Sequence, residues 1–345
     1  MELFPGEGVS LAKRRIPVVI VAGFLGSGKT TLLNHLLSNS RGVRIGVVVN
    51  DFGSVNVDAL SVAGQVDSML SLQNGCLCCA VDTAGLDAML AKLAGADLDL
   101  VVIEASGLAE PRSLVRMVLA SAEEGIEYGG LVELVDAAEF ETTRARHPEL
   151  DDHVRLADLV VLNKTDRVAD ADRLVAFVRE LAGATPVLPT AHGRIDPELL
   201  FDRVRDPDPV VRQLSFDDLR DDCGDHDQHA HSAYDTLTVT AGALHPRRFA
   251  AFLEGRPGGL YRMKGTVYFG VPGHRQRFVL HTVGAYTRLE RARWEAGQDR
   301  CTELVLIGAG IDPEGLRAEL KACEEPEPDQ VDEQSMLPVL RYLES

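Results

Sequence analysis

Residues 16–37 read IPVVIVAGFLGSGKTTLLNHLL, and this stretch decides the fold class. A β-branched apolar run, Val18 to Val21, leads into Gly23-x-x-x-x-Gly28-Lys29-Thr30 and then into leucines at helical spacing. Strand, glycine loop and helix in that order make a phosphate-binding loop credible. Glycines let backbone N–H groups turn inward around phosphate oxygens, where a Cβ would intrude. Lys29 would reach the β and γ phosphates, Thr30 would hold Mg²⁺ through its hydroxyl, and the positive helix end would favour the anion. Gly26, Ser27 and Thr31 complete the expected cradle. The chain is therefore read as α/β, with a mainly parallel sheet in this first domain.

Two further strand ends fit the loop. Residues 98–111, LDLVVIEASGLAEP, end an apolar run in Glu104, three residues before Gly107. A carboxylate there suits Mg²⁺ or its water, and the glycine suits backbone approach to a γ-phosphate. Residues 156–166, LADLVVLNKTD, put Asn163-Lys164-x-Asp166 directly after the run Leu159 to Leu162. An aspartate so placed can accept two hydrogen bonds from guanine N1–H and its exocyclic amine, which adenine does not offer. Together with the phosphate loop, this favours GTP over ATP.

The 345 residues are 45% hydrophobic, enough for two domains with sizeable cores. With 35 Lys and Arg against 53 Asp and Glu, the formal charge is −18. That balance disfavours nucleic acid and anionic membrane as partners. The opening MELFPGEGVSLAKRRIP lacks an apolar signal core, and no run of about 18 apolar residues follows. The expectation is a cytoplasmic protein whose thiols stay reduced.

Thiols concentrate at residues 74–82, NGCLCCAVD, where Cys76, Cys78 and Cys79 fall within four positions of a chain with six cysteines. In a reducing compartment such a cluster leans toward soft-metal binding or redox chemistry, with core packing as the ordinary alternative. Residues 76 and 78 can share one side of an extended loop, whereas adjacent Cys78 and Cys79 tend to diverge. Two or three thiolates suit Zn²⁺, admit Co²⁺ and disfavour Mg²⁺.

Taken together, GFLGSGKTTLLNHLL, VVNDFGSVNVD, NGCLCC, EASGLAEP and NKTD resemble the CobW-type P-loop GTPases, metal-handling relatives of the nickel-insertion GTPases of urease and hydrogenase maturation. GTVYF and WEAGQDRCTELVLIGAGID resemble that family's C-terminal domain, so the likeness spans nearly the whole chain. It implies a GTPase that binds a divalent metal at the cysteine loop and delivers it to a client metalloprotein, with Lys29 and Glu104 in hydrolysis. Zinc leads as cargo. Cobalt delivery for cobalamin synthesis or a cobalt enzyme is the alternative within the family; outside it the alternatives are a GTP-gated regulator with a thiol switch and an ordinary hydrolase or kinase using the phosphate loop on a small molecule, which the cysteine triplet and the Asn-Lys-x-Asp set argue against. The likeness also makes Asn50-Asp51-Phe52-Gly53 the nucleotide-sensing loop, although family members commonly carry glutamate at Asp51. Asp51 or Asp58 would complete the metal shell in one nucleotide state, or both are solvated loop residues.

The domain reading is an extension (1–15), a P-loop GTPase domain (16–214), an acidic linker (215–233), a smaller α+β domain (234–324) and an acidic tail (325–345). His226, His229 and His231 lie among the linker's aspartates, where they would capture and pass on a metal ion or simply be solvated. The second domain is expected to hold strands at YDTLTVTAG, YRMKGTVYFG, QRFVLHTVG and TELVLIG, and helices at HPRRFAAFLE and DPEGLRAELKACE. No nucleophile, acid and base set is apparent there, and His274 and His281 read as strand or loop residues. The tail segment EEPEPDQVDEQ is expected to be disordered, with MLPVLRYL able to dock. Oligomeric state is open, a homodimer among the options.

Overall fold

The computed structural model describes residues 15–40, 43–49, 68–71, 83–107, 109–200, 234–294 and 297–343. Among the described residues seven parallel strands form the first sheet: β1 (Ile16–Gly23), β2 (Ile45–Val49), β3 (Ser68–Ser71), β4 (Leu100–Glu104), β5 (Ile126–Asp136), β6 (Leu159–Asn163) and β7 (Val187–Pro189). Their order is β3-β2-β4-β1-β5-β6-β7. All eight residues of β1 are buried, as a strand covered on both faces requires. Val19 and Val21 face α1 (Lys29–Ser38), whose Leu32, Leu33, Leu36 and Leu37 recur at helical spacing. Val18 and Ile20 face the other layer, formed by α2 (Thr83–Ala94) and α3 (Pro111–Leu119). Helices α4 (Phe140–Arg146), α5 (Leu150–Leu156) and α6 (Ala171–Ala182) cover the β6 side.

Register positions the site. Val21 lies beside Glu104, Gly23 beside Leu134, and Asp136 beside Asn163. The C-terminal ends of β4, β1, β5 and β6 therefore share one edge, the usual ligand edge of an open parallel sheet.

The second sheet is antiparallel, in the order β11-β10-β9-β12-β8, from β8 (Asp235–Ala241), β9 (Leu260–Val267), β10 (Arg277–Val283), β11 (Tyr286–Ala292) and β12 (Thr302–Gly308). One face packs on α7 (Pro246–Glu254) and α8 (Pro313–Ala322). The sequence reading has no strand at residues 286–292. YTRLERA hides its alternation because a charged residue, Arg288, occupies a buried position, where it meets Glu127 of β5 at 2.6 Å.

The acidic stretch EEPEPDQVDEQ departs from expectation, since it packs against the second domain, whereas MLPVLRYL docks as the sequence allows. Met336 and Val339, the latter in α9 (Leu337–Leu340), are fully buried in its core. The acidic residues find cations: Glu325 pairs with Arg248 at 2.7 Å, and Asp329 pairs with Arg275. Burial of these apolar anchors outweighs the acidic composition that points to disorder.

The two domains meet at the opposite end of the parallel sheet. Tyr261 and Val283 join the core formed by Val132 and Leu159. A Cβ on Gly130 would lie 2.6 Å from Val283 Cγ1, and one on Gly284 would overlap the Asp158 carboxylate. Asp158 itself accepts from Tyr128 Oη at 2.5 Å and from Leu131 N at 2.9 Å. Gly130 and Asp136 are six residues apart on β5, so the contact lies about 20 Å from the site edge.

Candidate functional site

The glycine loop leaves β1 and closes on α1 as its sequence requires. Gly23, Gly26 and Gly28 all have φ between +79° and +144°, conformations that cost other residues strain. A Cβ on Gly23 would strike Leu134 O, and one on Gly28 would strike Asn163 Nδ2. Gly28 caps α1 with no side-chain acceptor, so the first-turn N–H groups, Thr31 included, are left for another acceptor. The Ser27 hydroxyl is buried with no hydrogen-bond partner among the described residues. These are the features of a loop awaiting an anion.

Lys29 is 8% exposed and donates to Gly23 O at 2.8 Å and Phe24 O at 3.3 Å. Burial lowers its pKa, opposed by the carboxylates of Glu104 and Glu133. Thr30 Oγ1 donates to Glu104 Oε1 at 3.2 Å, joining the start of α1 to the end of β4. A hydroxyl and a carboxylate converging there form a hard oxygen pair that fits Mg²⁺. Gly107 packs on the loop itself, since a Cβ would stand 2.9 Å from Leu25 N. The turn after Glu104 thus rests on the phosphate loop.

The Asn-Lys-x-Asp segment divides its work. Asn163 Nδ2 donates to Ser27 O at 2.9 Å, and Asn163 Oδ1 accepts from Gly193 N at 2.8 Å. It ties the phosphate loop to the segment after β7. Lys164, at φ 62°, reaches Gly26 O at 2.7 Å and Asp136 Oδ2 at 2.5 Å. Asp166 sits exposed on the turn Thr165–Arg167, which is held to Thr190 O by Thr165. Nine of the eleven expected nucleotide residues line one edge within this network, with Thr31 and Asp166 exposed beside it.

Cys76, Cys78, Cys79, Asp51, Asp58, His226, His229 and His231 lie outside the described residues. Among the described residues no group of three or more His, Cys, Asp and Glu is arranged for a metal ion, and no helix is long and apolar enough to cross a membrane. Sequence reading missed Asp136 and Glu133. The signal was present in LVELVDA, where a charged residue interrupts an apolar strand and another ends it.

The profile of the CobW/HypB/UreG nucleotide-binding domain matches residues 17–189, and that of the cobalamin synthesis protein cobW C-terminal domain matches residues 236–324. The chain is 30% identical over 350 residues to the zinc chaperone CobW of Sinorhizobium sp, spanning 89% of this chain and 97% of that protein. Against the zinc chaperone CobW of Pseudomonas aeruginosa it is 30% identical over 357 residues, spanning 90% and 92%. Against the zinc chaperone YjiA of Escherichia coli it is 34% identical over 193 residues, spanning 54% and 61%. Glycine loop, Asn-Lys-x-Asp segment and both domain matches agree, and the chain belongs to the CobW/HypB/UreG family of P-loop GTPases.

Proposed function

We propose that this protein is a GTP-dependent zinc chaperone, binding Zn²⁺ at Cys76, Cys78 and Cys79 and passing it to a client metalloprotein as GTP is hydrolysed. The observation that carries this reading is strand register. Val49, the last residue of β2, is level with Glu104 on one side and with Ser71, the last residue of β3, on the other. At a strand spacing of about 4.8 Å, β2 and β3 end within roughly 10 Å of the Glu104 backbone. Asp51 follows Val49 and Cys76 follows Ser71 within a few residues in the sequence. A change at Glu104 therefore has a short path to both segments. The near-full-length relatives are named zinc chaperones, which favours zinc over cobalt as cargo.

In this reading Lys29 exchanges the carbonyls of Gly23 and Phe24 for β and γ phosphate oxygens, joined by the loop N–H groups and the open end of α1. Thr30 and Glu104 would hold Mg²⁺, which when bound neutralises charge across the β and γ phosphates. Asp166 accepts from guanine, while Asn163 and Lys164 brace the loop. Gly107, resting on Leu25, moves with the loop and carries the γ-phosphate signal into α3. GTP orders the Asp51 segment and draws the thiolates around zinc; hydrolysis releases them.

The test is zinc transfer to a chromophoric chelator from protein loaded with one equivalent of zinc. Transfer should run at least about tenfold faster during GTP turnover than with a non-hydrolysable analogue. Equal rates would contradict delivery driven by hydrolysis.

A further inference from the structure

Strand β5 is apolar through its buried centre except for Glu133, which is 1% exposed between Ala22 of β1 and Val160 of β6. Alternation along the strand puts its side chain on the face of Leu131 and Val135, away from α1. There it lines a cavity of about 110 Å³ beneath the phosphate loop, walled by Phe24, Leu25, Phe140 and Val154. Glu133 Oε2 is buried without a hydrogen-bond partner among the described residues. A carboxylate in such a place is costly unless a cation answers it.

Among the described residues the charged and titratable groups around it are few. Lys29 of α1 favours its charge, and Glu110, the cap of α3, opposes it. His153 of α5 stands 3.5 Å from Glu110, and Asp136 and Glu139 share the cavity, with Asp136 already paired to Lys164. Burial dominates and pushes the Glu133 carboxyl up to about 8. The cation that answers Glu133 is the one the phosphates must recruit. A bound nucleotide brings several negative charges close to the same carboxylate, so its ionised form becomes less favourable still.

We propose that Glu133 is a positioning residue that couples nucleotide binding to proton uptake. At alkaline pH it is a carboxylate that acts on Lys29 by charge while the phosphate site is empty; when phosphates take over Lys29, Glu133 accepts one proton from solvent and becomes a neutral acid, the form it already holds at neutral pH. Nucleotide affinity then falls with rising pH, because above the pKa of the empty site binding must recruit that proton.

The inference rests on reading the loop as a nucleotide site, and GDP·Mg²⁺ binding at pH 7 checks that reading by itself. Wild type and Glu133→Gln should bind GDP·Mg²⁺ within about threefold of each other at pH 7, since glutamine mimics the protonated acid. Between pH 7 and pH 9 wild type should lose about tenfold more affinity than the variant, the factor for one proton over the unit above pH 8. Calorimetry of wild type in buffers of different ionisation enthalpy should independently show uptake of close to one proton at pH 9, whether or not the variant folds. Parallel pH profiles, or no proton uptake by wild type, would overturn the proposal. A Glu133→Gln protein that is weak at every pH with an unchanged slope would assign Glu133 a packing role only. Failure of both proteins to bind at pH 7 would instead remove the nucleotide reading beneath it.

Discussion

Replacing Cys76 and Cys78 together with alanine is expected to weaken zinc binding by at least about a thousandfold, with GTP binding and helix content unchanged. Structural zinc is held by four ligands, and thiolates supply most of the affinity at neutral pH. Removing two leaves too few donors of any type in the segment 72–82, while the phosphate loop and its supports on β1, β4 and β5 are untouched. Competition against a chromophoric chelator measures the loss. Retained affinity would move the site to the segment carrying His226, His229 and His231, and would detach the metal from the nucleotide edge.

Lys29→Ala should lower kcat for GTP hydrolysis by at least about a thousandfold, some 4 kcal/mol of transition-state stabilisation. Lys29 is buried inside the loop, and its removal leaves the carboxylates of Glu104 and Glu133, whose charges act on it, unopposed beside the phosphate site. Packing of α1 should survive, because its core contacts are made by Leu32, Leu33, Leu36 and Leu37. Unchanged circular dichroism with lost turnover is the expected pair of results. Turnover within tenfold of wild type would exclude Lys29 from the reaction.

Sequence pattern exposes the nucleotide edge because its residues are held by local chemistry. Glycines that must take positive φ, a lysine after them and polar residues closing apolar strands are each legible within a few positions. What stayed hidden depends on tertiary neighbours. Asn163 looks like a base contact, yet it bridges Ser27 and Gly193, residues far from it in sequence. Glu133 reads as a flaw in a strand until the loop above it is in view. Strand β11 escapes because Arg288 is buried against Glu127 of the other domain, so its inward face does not look apolar. The acidic part of the tail escapes for the opposite reason: its composition points to disorder, yet Glu325 and Asp329 pair with Arg248 and Arg275, while Met336 and Val339 of the MLPVLRYL segment, read as able to dock, are fully buried.

The central claim is that nucleotide state sets metal affinity, and linkage makes it testable from either side. The zinc dissociation constant should be measured by chelator competition with a non-hydrolysable GTP analogue and Mg²⁺, and again with GDP and Mg²⁺. Zinc should bind at least about tenfold tighter in the GTP-like state, and zinc should tighten binding of the analogue relative to GDP by the same factor. Equal zinc affinity in both states would contradict nucleotide gating.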